Sequence, residues 1–195
     1  AVIEKAESVS LRTYLNELLQ GNRLLVIAVG CVKHALLEAV CRLLGQLPAG
    51  DTPATVPPVF NPGNLTEYSP YSQSYCHWLF PVPAPSDNAY PALLVANHLL
   101  GGGTASRLFQ KLRETHGLSY SVQTQLEFYS DTGLWQIRTV CEPVHTEQCR
   151  QIVFETLQQL LSDGPTQQEL TATKQHLFAN LKLEQDSPLQ CMERL

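Results

Sequence analysis

The chain has 195 residues, 44% of them apolar and 16% charged, with a formal net charge of -5, the make-up of a globular chain long enough to bury one good core. Its thirteen Lys and Arg are scattered, which excludes the basic stripe of a nucleic-acid binder. No apolar run approaches the roughly 20 residues that cross a bilayer, so no membrane span is expected.

Ala1–Ala6 carries neither an initiator methionine nor a signal-peptide pattern, and Leu195 falls inside a helical pattern; the sequence is therefore expected to be cut from something longer. Leu24–Cys31 is a continuous run of branched apolar residues, which predicts a strand buried on both faces. Leu36, Leu37, Val40, Leu43 and Leu44 then fall at helical spacing from Lys33 onward, with Gly45 and Pro48 to close the helix. Ala49–Asn64 is a proline-laden connection without periodicity.

Tyr75–Val82 alternates, with Cys76, Trp78, Phe80 and Val82 on one face, and predicts a strand. Pro81, Pro83 and Pro85 end it, and Ser86 or Asp87 can cap a helix whose body, Ala92–Leu100, is apolar on almost every side and so predicted central. Gly101, Gly102 and Gly103 break that helix. Ala105–Thr115 predicts a short helix with Leu108 and Leu112 on one face. Ser119–Phe128 and Leu134–Cys141 alternate as strands and are joined by a hairpin over Tyr129–Gly133. An amphipathic helix over Glu147–Leu161 presents Cys149, Ile152, Val153, Leu157, Leu160 and Leu161. Gly164-Pro165 stops it, and Thr166 with Glu169 spells a capping box for a last helix running past Leu181. This order predicts an α+β fold, an antiparallel sheet covered on one face by helices, as a single domain over 1–195 in which 1–22 is a linker or the end of a preceding domain.

The six cysteines, Cys31, Cys41, Cys76, Cys141, Cys149 and Cys191, are irregularly spaced without C-x-x-C. Most are expected to be buried free thiols, which leans the compartment toward a reducing one such as the cytoplasm and leaves periplasm and mitochondrial matrix open. The histidines His34, His77, His98, His116, His145 and His176 show no pair at metal-ligand spacing, so each is assigned to surface or core, with His116 alone placed where it could line a cleft. Ser106, Ser119 and Ser121 lack a nucleophile-elbow context, and the glycines do not satisfy a phosphate-binding loop. Arg107 and Lys111, four residues apart, predict a solvated helix face.

The run from Gly101 through Arg113 and Gly117 to Tyr120, a triple-glycine break feeding a short helix with Arg and Tyr seven residues apart, resembles the signature of the non-catalytic, C-terminal-type domain of the pitrilysin and insulinase (inverzincin) zinc metallopeptidase superfamily. The resemblance covers roughly Leu11–Leu183, with Asn22, Leu24–Gly30 and Leu47-Pro48 fitting its outline and Cys31 departing from it. It implies a metallopeptidase-half domain over 23–195 that closes a cleavage chamber and binds extended peptide. Arg113 would donate to substrate carbonyls, and the Tyr120 hydroxyl to the scissile carbonyl as negative charge develops. Gly101, Gly102 and Gly103 would form a lid or a wall for the peptide, if they do more than break a helix.

The zinc motif H-x-x-E-H of this superfamily is absent; the nearest approach, His34-Ala35-Leu36-Leu37-Glu38, has the wrong spacing and no second histidine. No catalytic residue and no metal ligand are therefore expected in this chain. Zinc is expected in a partner, either an N-terminal zinc-binding domain or an active partner subunit. The second possibility makes this chain an inactive scaffold or partner subunit of a heteromeric processing peptidase.

Overall fold

A computed structural model describes residues 3, 6–51, 56, 58–68, 70–185 and 187–193. Two compact units are present, one of Ala1–Val56 with Leu181–Leu195 and one of Pro57–Asn180.

In the first unit, α1 (Ser8–Leu18) has no fully buried residue, and α2 (His34–Leu44) ends at Gly45, whose backbone N–H donates to Cys41 O. Between them Asn22 clamps the chain: its Nδ2 donates to Gly50 O at 2.6 Å and its Oδ1 accepts from Gly50 N at 3.0 Å. The strand expected over Leu24–Cys31 is not formed. Leu24–Val29 has no regular structure and is largely exposed, and the segment turns at Gly30, whose φ of 110° suits a residue without Cβ and whose carbonyl accepts from Val32 N at 2.9 Å. Its branched composition favours extended backbone, but a strand needs a ladder, and this segment has no partner strand among the described residues. The proline-rich connection falls partly outside the described residues, and the rest of it has no regular structure.

The second unit is built on an antiparallel sheet of order β1-β3-β2, formed by β1 (Ser74–Val82), β2 (Ser119–Phe128) and β3 (Gly133–Cys141). β1 alternates as expected, with Cys76, Trp78, Phe80 and Val82 the less exposed set. Its inward face packs on α5 (Thr146–Asp163), where Phe154 meets Trp78 and Phe80 edge to face, each at 6.5 Å between centroids. On α5, Cys149, Ile152, Val153 and Thr156 are buried at helical spacing. Leu161 is exposed, and Thr156 takes an inward place instead because its hydroxyl bonds Ile152 O at 2.7 Å.

The helix α3 (Tyr90–Gly101) is buried only in its last turn, at Leu99, Leu100 and Gly101. Asp87 does not cap α3 itself; its Oδ1 accepts from Ala89 N at 2.8 Å in the turn before it. The short helix begins two residues later than expected, as α4 (Arg107–Phe109), and continues as a π-helical turn over Gln110–Thr115. Leu108 and Leu112 are both wholly buried, and with Leu100, Ile137, Cys149 and Val153 they make the core that joins α3, α4 and α5 to the sheet. Truncating any one of these leucines to alanine costs about 2–5 kcal/mol.

The capping box forms as spelled, with Glu169 N donating to Thr166 Oγ1 at 3.2 Å and Thr166 N donating to Glu169 Oε2 at 2.7 Å. It opens α6 (Gln167–Gln185) after Gly164, which ends α5 at φ 71°. A last short helix, α7, spans Pro188–Glu193. No helix of the described residues is long and apolar enough to cross a membrane.

Candidate functional site

The stretch from Gly101 to Tyr120 is shaped by bonds within it. Ser106 closes a turn on Gly103, its N–H donating to Gly103 O at 3.1 Å and its hydroxyl to the same oxygen at 2.6 Å. Gln110 Nε2 adds a bond to Thr104 O at 2.7 Å. The three glycines have different surroundings. A Cβ at Gly101 would lie 2.5 Å from Thr124 Cγ2 and 2.9 Å from Thr124 N, so its absence lets α3 touch the β2 backbone. At Gly102 a Cβ would meet His98 Cα at 2.6 Å, whereas Gly103 faces open space.

Beyond the turn, the π-helical segment is closed by His116 N donating to Lys111 O, five residues back, at 3.1 Å. Gly117, at φ 62°, releases the chain, and Leu118 N is pinned to Leu112 O at 2.8 Å. Arg113 is exposed, with its guanidinium carbon 5.1 Å from the centroid of Phe109. It borders a shallow recess of about 380 Å³ together with Thr104, Ala105, Phe109, Gln110 and Glu114. His116 is exposed at the helix end.

Tyr120 occupies a β-bulge. Ser119 pairs with Cys141 and Ser121 with Val140, leaving Tyr120 as the extra residue of β2, and such a bulge re-aims a side chain. It is 57% exposed, and its hydroxyl donates to Glu142 Oε1 at 3.3 Å. Ser119, by contrast, turns inward and shares a 2.6 Å hydroxyl bond with Thr139. The bulge is a feature that the sequence reading missed, and the inward polar Ser119 directly before an outward Tyr was the available trace of it.

A larger cleft of about 460 Å³ lies along β2, lined by Gly101–Thr104, Phe109, residues 122–125 and Arg138. Gly101, Gly102 and Gly103 thus share a cleft with Phe109, while Arg113 borders the neighbouring recess and Tyr120 lines neither. On the other side of the glycine turn a third cleft of about 380 Å³ includes His98, Thr173 and His176. Those two imidazoles, far apart in sequence, stack at 4.5 Å. Burial, and then the neighbouring His176, lower the pKa of His98.

Arg107 does not lie on a solvated face. It pairs with Glu169 through two 2.8 Å bonds and donates to Gly164 O at 3.0 Å. Lys111 reaches Gln159 Oε1 on α5.

The cysteines divide. Cys141 and Cys149 are buried free thiols and Cys76 is half-buried, but Cys31 and Cys41 are exposed because they sit in the first unit, where little is buried. The side chain of Cys191 lies outside the described residues. The described residues hold no group of three or more His, Cys, Asp or Glu able to take a metal ion.

Residues 7–177 match the family described as the peptidase M16 inactive domain, and the chain belongs to that family. It is 29% identical over 187 residues to "Uncharacterized zinc protease YmxG" of Bacillus subtilis, covering 95% of this chain and 46% of that protein. It is 30% identical over 188 residues to the mitochondrial-processing peptidase subunit beta of Bos taurus, covering 89% of this chain and 38% of that one. A crystal structure of a peptidase M16 inactive domain from Pseudomonas fluorescens superposes with a TM-score of 0.76 at 23% identity, over 89% of this chain and 43% of that one. The chain thus spans less than half the length of each of these proteins.

Proposed function

We propose that this chain is the non-zinc domain of a zinc-dependent metalloendopeptidase, closing the cleavage chamber and gripping extended peptide opposite a zinc-binding domain. The observation that carries this reading is the placement of Arg113 and Tyr120. Both are exposed, the arginine has no ion pair among the described residues, and the tyrosine stands on a bulge. A planar cation held over Phe109 orients carbonyl oxygens. A phenol is a neutral donor whose bond strengthens as a scissile carbonyl becomes an oxyanion. The two bonds from Ser106 to Gly103 O support the reading of the glycines as a wall for the peptide. Zinc, when bound by the partner domain, would polarise that same carbonyl.

The test uses the intact protein. Arg113→Ala and Tyr120→Phe should each lower kcat/KM by about 10²-fold, the loss typical of one transition-state donor, without changing zinc content. Full turnover in both variants removes the assigned roles.

The similarity to one subunit of a processing peptidase supports heteromeric assembly, and in a second reading this chain belongs to an inactive partner subunit. In that case the protein that carries this chain has no H-x-x-E-H segment of its own, hydrolyses nothing alone, and gains activity only when mixed with a zinc-bearing chain.

A further inference from the structure

The solvent-facing side of the sheet carries a polar network centred on Gln136, which is only 3% exposed although it points away from the helices. Its Oε1 accepts from His77 Nε2 at 3.0 Å and from Arg138 Nη2, while its own Nε2 donates to Glu127 Oε2. Glu127 is further engaged, its Oε1 accepting the Tyr129 hydroxyl at 2.7 Å. Every polar atom of the Gln136 amide is thereby used, and the amide is fixed.

Arg138 is what this network orients without neutralising. Its Nη2 donates to an amide oxygen and its Nε lies 3.4 Å from His77 Nε2, so neither partner is a carboxylate. It has no ion pair among the described residues. Arg138 lines the cleft of about 460 Å³ beside the glycine turn, and no Asp or Glu lines that cleft. The wall opposite is glycine, where backbone can approach backbone, and β2 carries no strand on its outer edge among the described residues. A buried amide that positions a guanidinium over an acid-free cleft leaves that cation to be completed by a ligand.

We propose that Arg138 is a specificity-determining residue, which pairs with an Asp or Glu side chain of a peptide lying in extended form along β2 between residues 122 and 125 and the wall of Gly101–Gly103. Gln136 is its positioning residue, and His77 and Glu127 hold Gln136. This rests on the reading of the chain as a peptide-binding domain.

The experiment measures equilibrium binding of fluorescent peptides to the intact protein, with a chelator present to prevent cleavage. The peptides form a set in which one residue at a time is Glu or Gln, each made with a free and with an amidated C-terminus. The wild type should bind one Glu peptide about 5–10-fold more tightly than its Gln counterpart whatever the terminus. Arg138→Gln should bring that ratio to about 1, and Arg138→Lys should retain part of it. Gln136→Leu should lower the ratio of Glu-peptide to Gln-peptide affinity.

Binding of both peptides with equal affinity at every position overturns the assignment of Arg138 and leaves peptide binding standing. A preference that follows the free C-terminus, or that survives in Arg138→Gln at an unchanged thermal midpoint, overturns it as well. No binding of any peptide overturns the peptide-binding reading itself, and this inference with it.

Discussion

Arg107 and Glu169, 62 residues apart in sequence, meet as a two-pronged pair with both bonds at 2.8 Å, at the point where α4 lies beside the start of α6. The same carboxylate closes the capping box, so one side chain caps a helix and anchors the segment that leads to Arg113. The Arg107 bond and the Thr166 bonds hold the Glu169 carboxyl down to about 2, against a smaller opposing effect of burial.

Glu169→Gln should therefore destabilise the protein by about 1–2 kcal/mol near neutral pH, after discounting for the partial exposure of the pair. The folded pKa lies below the unfolded one, so the contribution is full above about 4.5 and is lost as pH falls toward about 2. Urea unfolding of wild type and variant at pH 7 and pH 3 checks this: the gap between them should narrow at the lower pH. A gap that stays constant would show that the carboxylate's charge is not what stabilises.

The glycine triplet should split under substitution. Gly101→Ala brings a methyl to 2.9 Å from Thr124 N and 2.5 Å from Thr124 Cγ2, forcing α3 off β2, and should cost at least about 2 kcal/mol. Gly103→Ala meets nothing within 4 Å and should leave the thermal midpoint within about 1 °C of wild type. Equal destabilisation by the two substitutions would refute the packing described for Gly101.

The stacked imidazoles make acid unfavourable. The pKa of His98 is lowered by burial and by His176, so the unfolded chain takes up a proton first as pH falls. Stability is then full above the unfolded value of about 6.5 and declines as pH drops through it. Thermal melts at pH 7.5 and 5.5 should show a larger drop in wild type than in His98→Gln. The same drop in both would mean that this pair has no role in the acid response.

Alkylation of the thiols should follow burial. Burial, with Cys141 close by, pushes Cys76 up to about 11 and Cys149 to about 12, so neither presents a thiolate at neutral pH. Iodoacetamide on the native protein, read by peptide mass spectrometry, should modify Cys31 and Cys41 quickly and Cys76, Cys141 and Cys149 only after unfolding. Fast native labelling of Cys149 would contradict the core described here.

The hairpin, the capping box and the alternating β1 were legible because each is a local pattern whose chemistry is complete within a few residues. Leu24–Cys31 was not, since apolar branched residues state a preference for extended backbone but cannot state whether a neighbour exists to pair with it. Arg107 was misread for the same reason: its spacing from Lys111 describes a helix face, while its partner Glu169 belongs to another helix. Of the candidate site, Arg113, Tyr120 and the glycines are the residues that the sequence puts forward. It could not show the surroundings of Arg138, which occupies an ordinary outward position of β3 and meets Gln136 and His77 only once the strands are paired.

The widened turn at Gln110–Thr115 makes the length of this segment a coded quantity. Each residue of an α-helix advances about 100° around its axis, and a one-residue deletion between Leu112 and Gly117 would draw the turn tight. The leucines would hold their places, because the core fixes them. Arg113, bonded directly to Leu112, would stay over Phe109, while the five residues that carry the chain from Leu112 to Leu118 would become four, so the bond from Leu118 N to Leu112 O and the bulge that presents Tyr120 would both have to shift.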